Sequence, residues 1–352
     1  MSDERARSIS KLADELDSEG MLEHLRNFPD DLDFKGLDDE LTIHIGRNFE
    51  GAVYLGMGGS AAAGDFVASL IDNIAGKPIT IWRDYGLPAY VTRGWLVIAT
   101  SYSGNTEETL SGVQQAIADG IPVVGISSGG RLQEMLESTD LGWWVPVPGG
   151  QPPRSAFGHL FSRLMRVSLT CDRLGLSLPE QQIDEQGLRD VVTEWDFVNN
   201  PDSQALDIAS GLLDRQIGIV SAPELGCAGV RFANQLNENG GVFARQTSLP
   251  EMNHNEIIAW TQPEAAHSQM LILLTWDGMN ERVAERIEWM NEAVDADVCR
   301  IHSEGEGLLD AMLHLCVVMD WISCAVALLR GKDPSAVGPI QSLKDHLSDH
   351  HK

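Results

Sequence analysis

Positive charge is scarce in this sequence. Its 352 residues include 25 Lys and Arg against 52 Asp and Glu, a formal net charge of −27. The lysines are Lys11, Lys35, Lys77, Lys332, Lys344 and Lys352. A nucleic-acid binder needs a basic footprint, so nucleic acid is not expected as a partner. An acidic surface is chiefly a solubility device, and any anionic substrate must be held by local donors against that field. Cysteine is also sparse: Cys171, Cys227, Cys299, Cys316 and Cys324 form no CxxC pair. Reduced, buried thiols are the plain expectation, with no zinc site. No apolar run approaching the roughly 18 residues of a membrane span is read, and no membrane partner is expected. The opening stretch MSDERARSISKLADELDSEG is charged throughout. It lacks the apolar core of a signal peptide, which points to the cytoplasm.

Hydrophobic residues nevertheless make up 43% of the chain, enough for substantial cores, and the length favours two domains. Residues 1–47 read as an N-terminal helical arm with acidic turns. From about residue 50, short apolar runs alternate with longer mixed segments. Strands are predicted at Ala52–Gly56, Ile79–Arg83, Trp95–Thr100, Val123–Ser127 and Leu141–Val147. Helices are predicted at Ala61–Ile74, Thr106–Asp119 and Arg131–Ser138. Strand–helix alternation implies an α/β fold, a parallel sheet sandwiched by helices. Five strands fit the flavodoxin-like order 2-1-3-4-5.

Gly149–Pro153 marks the best boundary, so the first domain spans 48–150. Helical patterns follow at Ala156–Leu174 and Glu185–Val198. A second alternation then gives strands at Ile217–Ser221, Val242–Gln246, Leu271–Trp276 and Val298–His302. Its helices are Ala228–Asn237, Asn280–Ala293 and Leu308–Leu329. The second domain is drawn as 151–335, and 336–352 as a C-terminal helical segment.

Polar chemistry concentrates in a few loops. Strand one ends in Gly56-Met57-Gly58-Gly59-Ser60, and strand three in Ser101-Tyr102-Ser103-Gly104-Asn105-Thr106. In a 2-1-3-4-5 sheet, these two strands flank the switch point where ligands bind. Hydroxyls, loop amides and a helix N-terminus suit a phosphate without a lysine. Helix capping is the plainer reading of either loop alone. The first loop has neither GxGxxG spacing nor a P-loop GK[ST] ending.

Arg154 follows Pro152-Pro153 and is suited to hold an oxyanion. Glu238 lies in Asn237-Glu238-Asn239-Gly240-Gly241, and His254 in Met252-Asn253-His254-Asn255-Glu256. Lys344 sits beside the apolar stripe Ile340, Leu343, Leu347. Taken singly, these four read as a surface arginine, a helix-end glutamate, a loop histidine and a snorkelling lysine.

Taken together, the segments DSEGMLEHLRNFP (17–29), GMGGSAAAGD (56–65), SYSGNTEET (101–109), PPRSAFG (152–158), NQLNENGG (234–241), LPEMNHNE (249–256) and LKDHL (343–347) resemble the bifunctional phosphoglucose/phosphomannose isomerase family. That family belongs to the sugar-isomerase (SIS) superfamily. The resemblance implies two SIS domains and a metal-independent aldose–ketose isomerase without a cofactor. It would interconvert glucose 6-phosphate or mannose 6-phosphate with fructose 6-phosphate. It implies that Ser101, Ser103 and Thr106 bind the phosphate and that Gly59 and Ser60 contact the sugar. Arg154 would stabilise the enediolate, Glu238 would move the proton, and His254 and Lys344 would open the ring. In such a family the histidine comes from the other subunit, implying a homodimer. One departure concerns the C2 epimer. Some relatives carry a threonine about two turns before the terminal lysine, whereas this chain reads Ser335-Ala336-Val337-Gly338-Pro339. A non-catalytic SIS-domain sensor, or an SIS isomerase for another sugar phosphate, are the alternative readings.

Overall fold

A computed structural model describes residues 2–34, 49–71, 77–170, 183–200, 202–262 and 268–350. Cys171, the part of the acidic-turn segment beyond residue 34 and the ends of the helices expected at 61–74 and 156–174 lie outside the described residues, and the start of that segment, up to Asp31, is helical.

Two parallel sheets organise the chain. In the first, β1 (Ala52–Leu55), β2 (Ile79–Trp82), β3 (Leu96–Thr100), β4 (Val123–Ser127) and β5 (Gly142–Pro146) lie in the order β2-β1-β3-β4-β5. This is the arrangement expected from the alternation. In the second, β6 (Gln216–Ser221), β7 (Ala244–Ser248), β8 (Gln269–Trp276) and β9 (Asp297–Ser303) lie in the order β7-β6-β8-β9. The second order repeats the first, with no fifth strand among the described residues. All pairings among the described strands are parallel.

The helices, in chain order, are α1 (Ser2–Leu16), α2 (Met21–Asp31), α3 (Gly58–Ile71), α4 (Glu107–Ala118), α5 (Gly130–Glu137), α6 (Phe157–Thr170) and α7 (Glu185–Trp195). They continue as α8 (Ala205–Leu212), α9 (Gly226–Gln235), α10 (Ile257–Trp260), α11 (Glu281–Ala293), α12 (Leu308–Leu329) and α13 (Gly338–His350).

Side-chain alternation along the strands shows how the two sheets are joined. Ala52 and Tyr54 of β1, Leu96 and Ile98 of β3, Ile217 and Ile219 of β6, and Met270, Ile272 and Leu274 of β8 share one core. Their neighbours point the other way: Val53, Leu55, Val97 and Ala99 into a second cluster, and Val220, Leu271 and Leu273 into a third. Period-two alternation thus sends one face of each sheet to a common helical layer. Helix α12 runs through that layer, with 18 of its residues buried. The arm also joins it, because Met21, Leu22, Leu25 and Phe28 of α2 are buried in the same core.

Helix α12 corrects one expectation. With 22 residues, and a mean hydropathy of 2.0 over an 18-residue window, it is long and apolar enough to cross a membrane, yet 89% of that window is buried inside the protein. Its apolar character therefore serves a core packed on all sides. A buried charge pair crosses this layer. Asp320 of α12 takes both Nη atoms of Arg231 from α9, with Nη2–Oδ2 at 2.8 Å, and accepts Gln235 Nε2 at 2.9 Å. Burial alone would lower the Arg231 pKa, but the facing carboxylate holds it above its ordinary value. The four described cysteines are free thiols, and burial pushes Cys316 up to about 12.

Candidate active site

The cleft forms where the carboxyl ends of β1 and β3 meet residues from the C-terminal half. It has a volume of about 790 Å³ and is lined by Gly59, Ser60, Ser103, Thr106, Arg154, Glu238 and Lys344, among others. Seven of the nine expected site residues therefore share one cavity.

The β3–α4 loop is a tight turn leading into the N-terminus of α4. Gly104 has φ +67°, and a Cβ there would lie 1.8 Å from the carbonyl oxygen of Gly129. Only glycine fits that left-handed, crowded position. Asn105 N donates to Ser103 Oγ at 3.2 Å, closing the turn. Thr106 occupies the N-cap of α4 but makes no side-chain capping bond. Its Oγ1 instead pairs with Ser101 Oγ at 2.9 Å. The amides of the first turn of α4 are thus not taken by the cap hydroxyl, which counts against simple capping and for an anion seat. Ser101 itself is fully buried and is not part of the cleft wall. The structure places it behind Thr106, so its hydroxyl orients that side chain. Ser60 Oγ accepts from Tyr102 N at 3.3 Å, tying the two loops together.

Opposite the cradle, Arg154 is 7% exposed. Its Nε lies 3.1 Å from Glu238 Oε2. Nη1 donates to Asn239 Oδ1 at 3.0 Å and to the carbonyl of Pro334 at 2.8 Å, and Nη2 to the carbonyl of Ser335 at 3.4 Å. The fork is therefore fixed by contacts from two separate parts of the chain. Glu238 sits on a π-helical turn, Leu236–Gly240, that extends α9. The wider turn re-aims successive side chains, as such insertions do at functional sites. Glu238 is about 31% exposed and faces the cleft, whereas Asn239 is 2% exposed and faces inward.

Lys344 reaches the cleft from α13, whose Ile340, Leu343 and Leu347 also line it while remaining exposed. Val337 lines the same wall. His254 is elsewhere. It ends a short 3-10 turn, Glu251–His254, is exposed, and is not part of this cleft. Among the described residues, no group of three His, Cys, Asp or Glu side chains is placed to hold a metal ion.

Sequence reasoning missed several cleft neighbours. Glu19, in the turn before α2, lines the cavity, and Ser18 Oγ bonds Asp333 in the segment that also supplies the Arg154 acceptors. The segment containing Glu19 stood out only as part of a matched stretch. The Pro334 and Ser335 carbonyls left no sequence signal, since backbone acceptors carry no residue identity.

Comparison with known proteins fits this geometry. An SIS domain matches residues 50–133, and a bacterial phospho-glucose isomerase C-terminal SIS domain matches residues 201–347. A bifunctional phosphoglucose/phosphomannose isomerase from Aquifex aeolicus is 32% identical over 306 residues, covering 86% of this chain and 92% of the relative. The chain belongs to the bifunctional phosphoglucose/phosphomannose isomerase family. A member from Thermoplasma acidophilum is 30% identical over 331 residues, 93% of this chain and 97% of its own. A hypothetical protein from Thermus thermophilus superposes with a TM-score of 0.73 at 16% identity, covering 98% of this chain and 94% of its own. The two parallel-sheet units of this family member are accordingly SIS domains.

Proposed function

We propose that the chain is an aldose–ketose isomerase that interconverts glucose 6-phosphate, mannose 6-phosphate or both with fructose 6-phosphate. The observation that carries this reading is the shared cleft, in which a hydroxyl- and amide-lined anion seat faces the Arg154–Glu238 pair.

In the proposed reaction, Ser103, Thr106 and the α4 amides hold the phosphate, and Ser101 orients Thr106. Gly59 and Ser60 border the sugar. Phosphate binding away from the reacting carbons keeps them in register with the base. The ring opens first, with Lys344 and a histidine exchanging protons at O1 and O5. Glu238 then takes the C2 proton. The C2–H electron pair becomes the C1=C2 bond, and the former C1=O1 π pair moves to O1. The resulting cis-enediolate is stabilised by the Arg154 guanidinium, already fixed before charge develops. Protonation of C1 by Glu238, with the O2 proton passing to O1, leaves the carbonyl at C2 and a hydroxyl at C1. This route uses no metal and no redox cofactor. Ser335 and Val337 line the same cleft as Lys344, and the coupled assay compares the glucose and mannose phosphates directly. The reading includes a cytoplasmic location, because sugar phosphates are charged metabolites that do not cross membranes unaided.

The test is a coupled assay for fructose 6-phosphate formed from each aldose phosphate, with and without EDTA. Turnover insensitive to EDTA is expected. Tight sugar-phosphate binding without turnover would favour a sensor instead, and EDTA-sensitive turnover would overturn the metal-free route.

The reading also includes a homodimer in which His254 serves the cleft of the partner. The support is that His254 is exposed and outside its own cleft, while the other expected acid–base groups line it. Mixing refolded His254→Ala and Glu238→Gln chains in equal amounts tests this. Each mixed dimer then has one site with both wild-type groups, so activity should recover to roughly a quarter of wild type from two inactive parents. No recovery, despite mass evidence of mixed dimers, would place His254 in its own chain's site or outside catalysis.

A further inference from the structure

Asn239 is buried, uncharged and absent from the cleft wall, yet it is the side chain that ties Arg154 to the core. Its Oδ1 accepts from Arg154 Nη1 at 3.0 Å, and its Nδ2 donates to Ser323 Oγ of α12 at 2.9 Å. Ser323 Oγ in turn donates to the carbonyl of Asp320 at 2.8 Å. Asp320 is the residue that also holds Arg231 and Gln235. Buried polar groups thus connect the guanidinium in the cleft to the packed central helix.

We propose that Asn239 is a positioning residue for the isomerisation: it fixes the orientation of Arg154, through Ser323 on α12, so that the guanidinium meets the enediolate. The inference rests on the isomerase reading above. A guanidinium has five N–H groups in one plane. Of these, Nε faces Glu238, both Nη1 hydrogens are taken by Asn239 and Pro334, and one Nη2 hydrogen is taken by Ser335. Two of these acceptors are adjacent carbonyls of one segment, 334–335. Glu238 and Asn239 are the acceptors from a second element, the π turn; Glu238 gives up its carboxylate to the proton transfer, so Asn239 is the buried contact that holds the plane throughout. The π turn makes this possible. It places Glu238 toward the cleft and Asn239 toward α12 in consecutive positions, so the base and the anchor of its arginine share one rigid backbone.

Asn239→Ala should lower kcat ~10–100-fold while KM for the aldose phosphate changes less than ~2-fold, since the phosphate cradle is untouched. Inhibition by a phosphorylated hydroxamate, whose planar anion imitates the enediolate, should weaken by about the same factor as kcat. Inorganic phosphate should inhibit as before. Ser323→Ala, which removes the acceptor of Nδ2 and the hydroxyl that donates to the Asp320 carbonyl, is the second variant and should lower kcat ~3-fold with the same pattern. It covers the case in which Asn239→Ala does not fold. A merely structural role for Asn239 would lower the unfolding midpoint and leave kcat and hydroxamate inhibition of the folded variant unchanged, and that result overturns the inference. If the wild-type chain itself fails to isomerise, the functional reading fails first. If it isomerises and both variants match it, only the role of Asn239 fails.

Discussion

Glu238→Gln is expected to lower kcat about 10³–10⁴-fold, the upper part of the range for a positioned general base, with sugar-phosphate affinity nearly intact. Glutamine keeps the shape and one oxygen of the side chain, so the contact with Arg154 Nε at 3.1 Å has a neutral substitute acceptor. What it removes is the site that accepts a proton. A fall of that size corresponds to roughly 4–5.5 kcal/mol of transition-state stabilisation, at about 1.36 kcal/mol per tenfold. Binding should persist because the proposed phosphate seat at Ser103 and Thr106 lies on the β3–α4 loop, a different element from the π turn. Two measurements separate the steps: equilibrium binding of the aldose phosphate, and exchange of the C2 proton with deuterium in heavy water. Turnover and exchange at wild-type rates in the variant would remove Glu238 from its role. Loss of binding together with turnover would mean that the carboxylate shapes the cleft instead.

Much of this site could be read from the chain because its parts are local. The β3–α4 loop declares itself through a run of small and hydroxyl residues after an apolar strand, and strand order follows from the alternation that places it. The long helix Leu308–Leu329 is delimited by its mostly apolar character, interrupted at Asp310, His314 and Asp320, and it matches α12. Other features depend on long-range packing. Helix α8 escapes the sequence reading: ALDIASGL is only 8 residues long, and its burial is decided by α12 packing on it rather than by its own period. Strand β7 is expected from Val242 but begins at Ala244, because its register is set by pairing Ala244 with Ile217 of β6. Helix α9 is expected to stop near Asn237, yet a π turn carries it to Gly240. A 3.6-residue pattern contains no mark for one wide turn, although that turn aims Glu238. Likewise, Ser101 looks equivalent to Ser103 in sequence, whereas the chain path buries one and leaves the other exposed. The separation of His254 from the cleft also follows from chain path and has no sequence signature of its own.

Arg154→Ala carries the second largest expected effect, a fall in kcat of about 10²–10³-fold, the loss associated with removing one preorganised oxyanion donor. The reason it should appear in kcat rather than KM is geometric. Arg154 lies on the Glu238 side of the cleft, in a segment distinct from the phosphate loop, so its charge matters most when the enediolate forms. Some loss of stability should accompany it. The substitution leaves Asn239 Oδ1 and the carbonyls of Pro334 and Ser335 without their donor, at about 1–3 kcal/mol for each group that stays buried and unpaired. Kinetics on the folded fraction therefore have to be paired with an unfolding curve. Arg154→Lys sharpens the interpretation. A lysine restores the charge but is a single point donor and cannot serve Glu238, Asn239 and the 334–335 carbonyls at once. If charge alone mattered, the lysine variant would recover nearly all the activity. If fork geometry matters, it should stay within about tenfold of the alanine variant, and added guanidinium ion should raise the turnover of Arg154→Ala by occupying the vacated space. An effect of Arg154→Ala confined to KM, with no response to guanidinium, would assign Arg154 to ground-state binding and leave the enediolate without its stabilising cation.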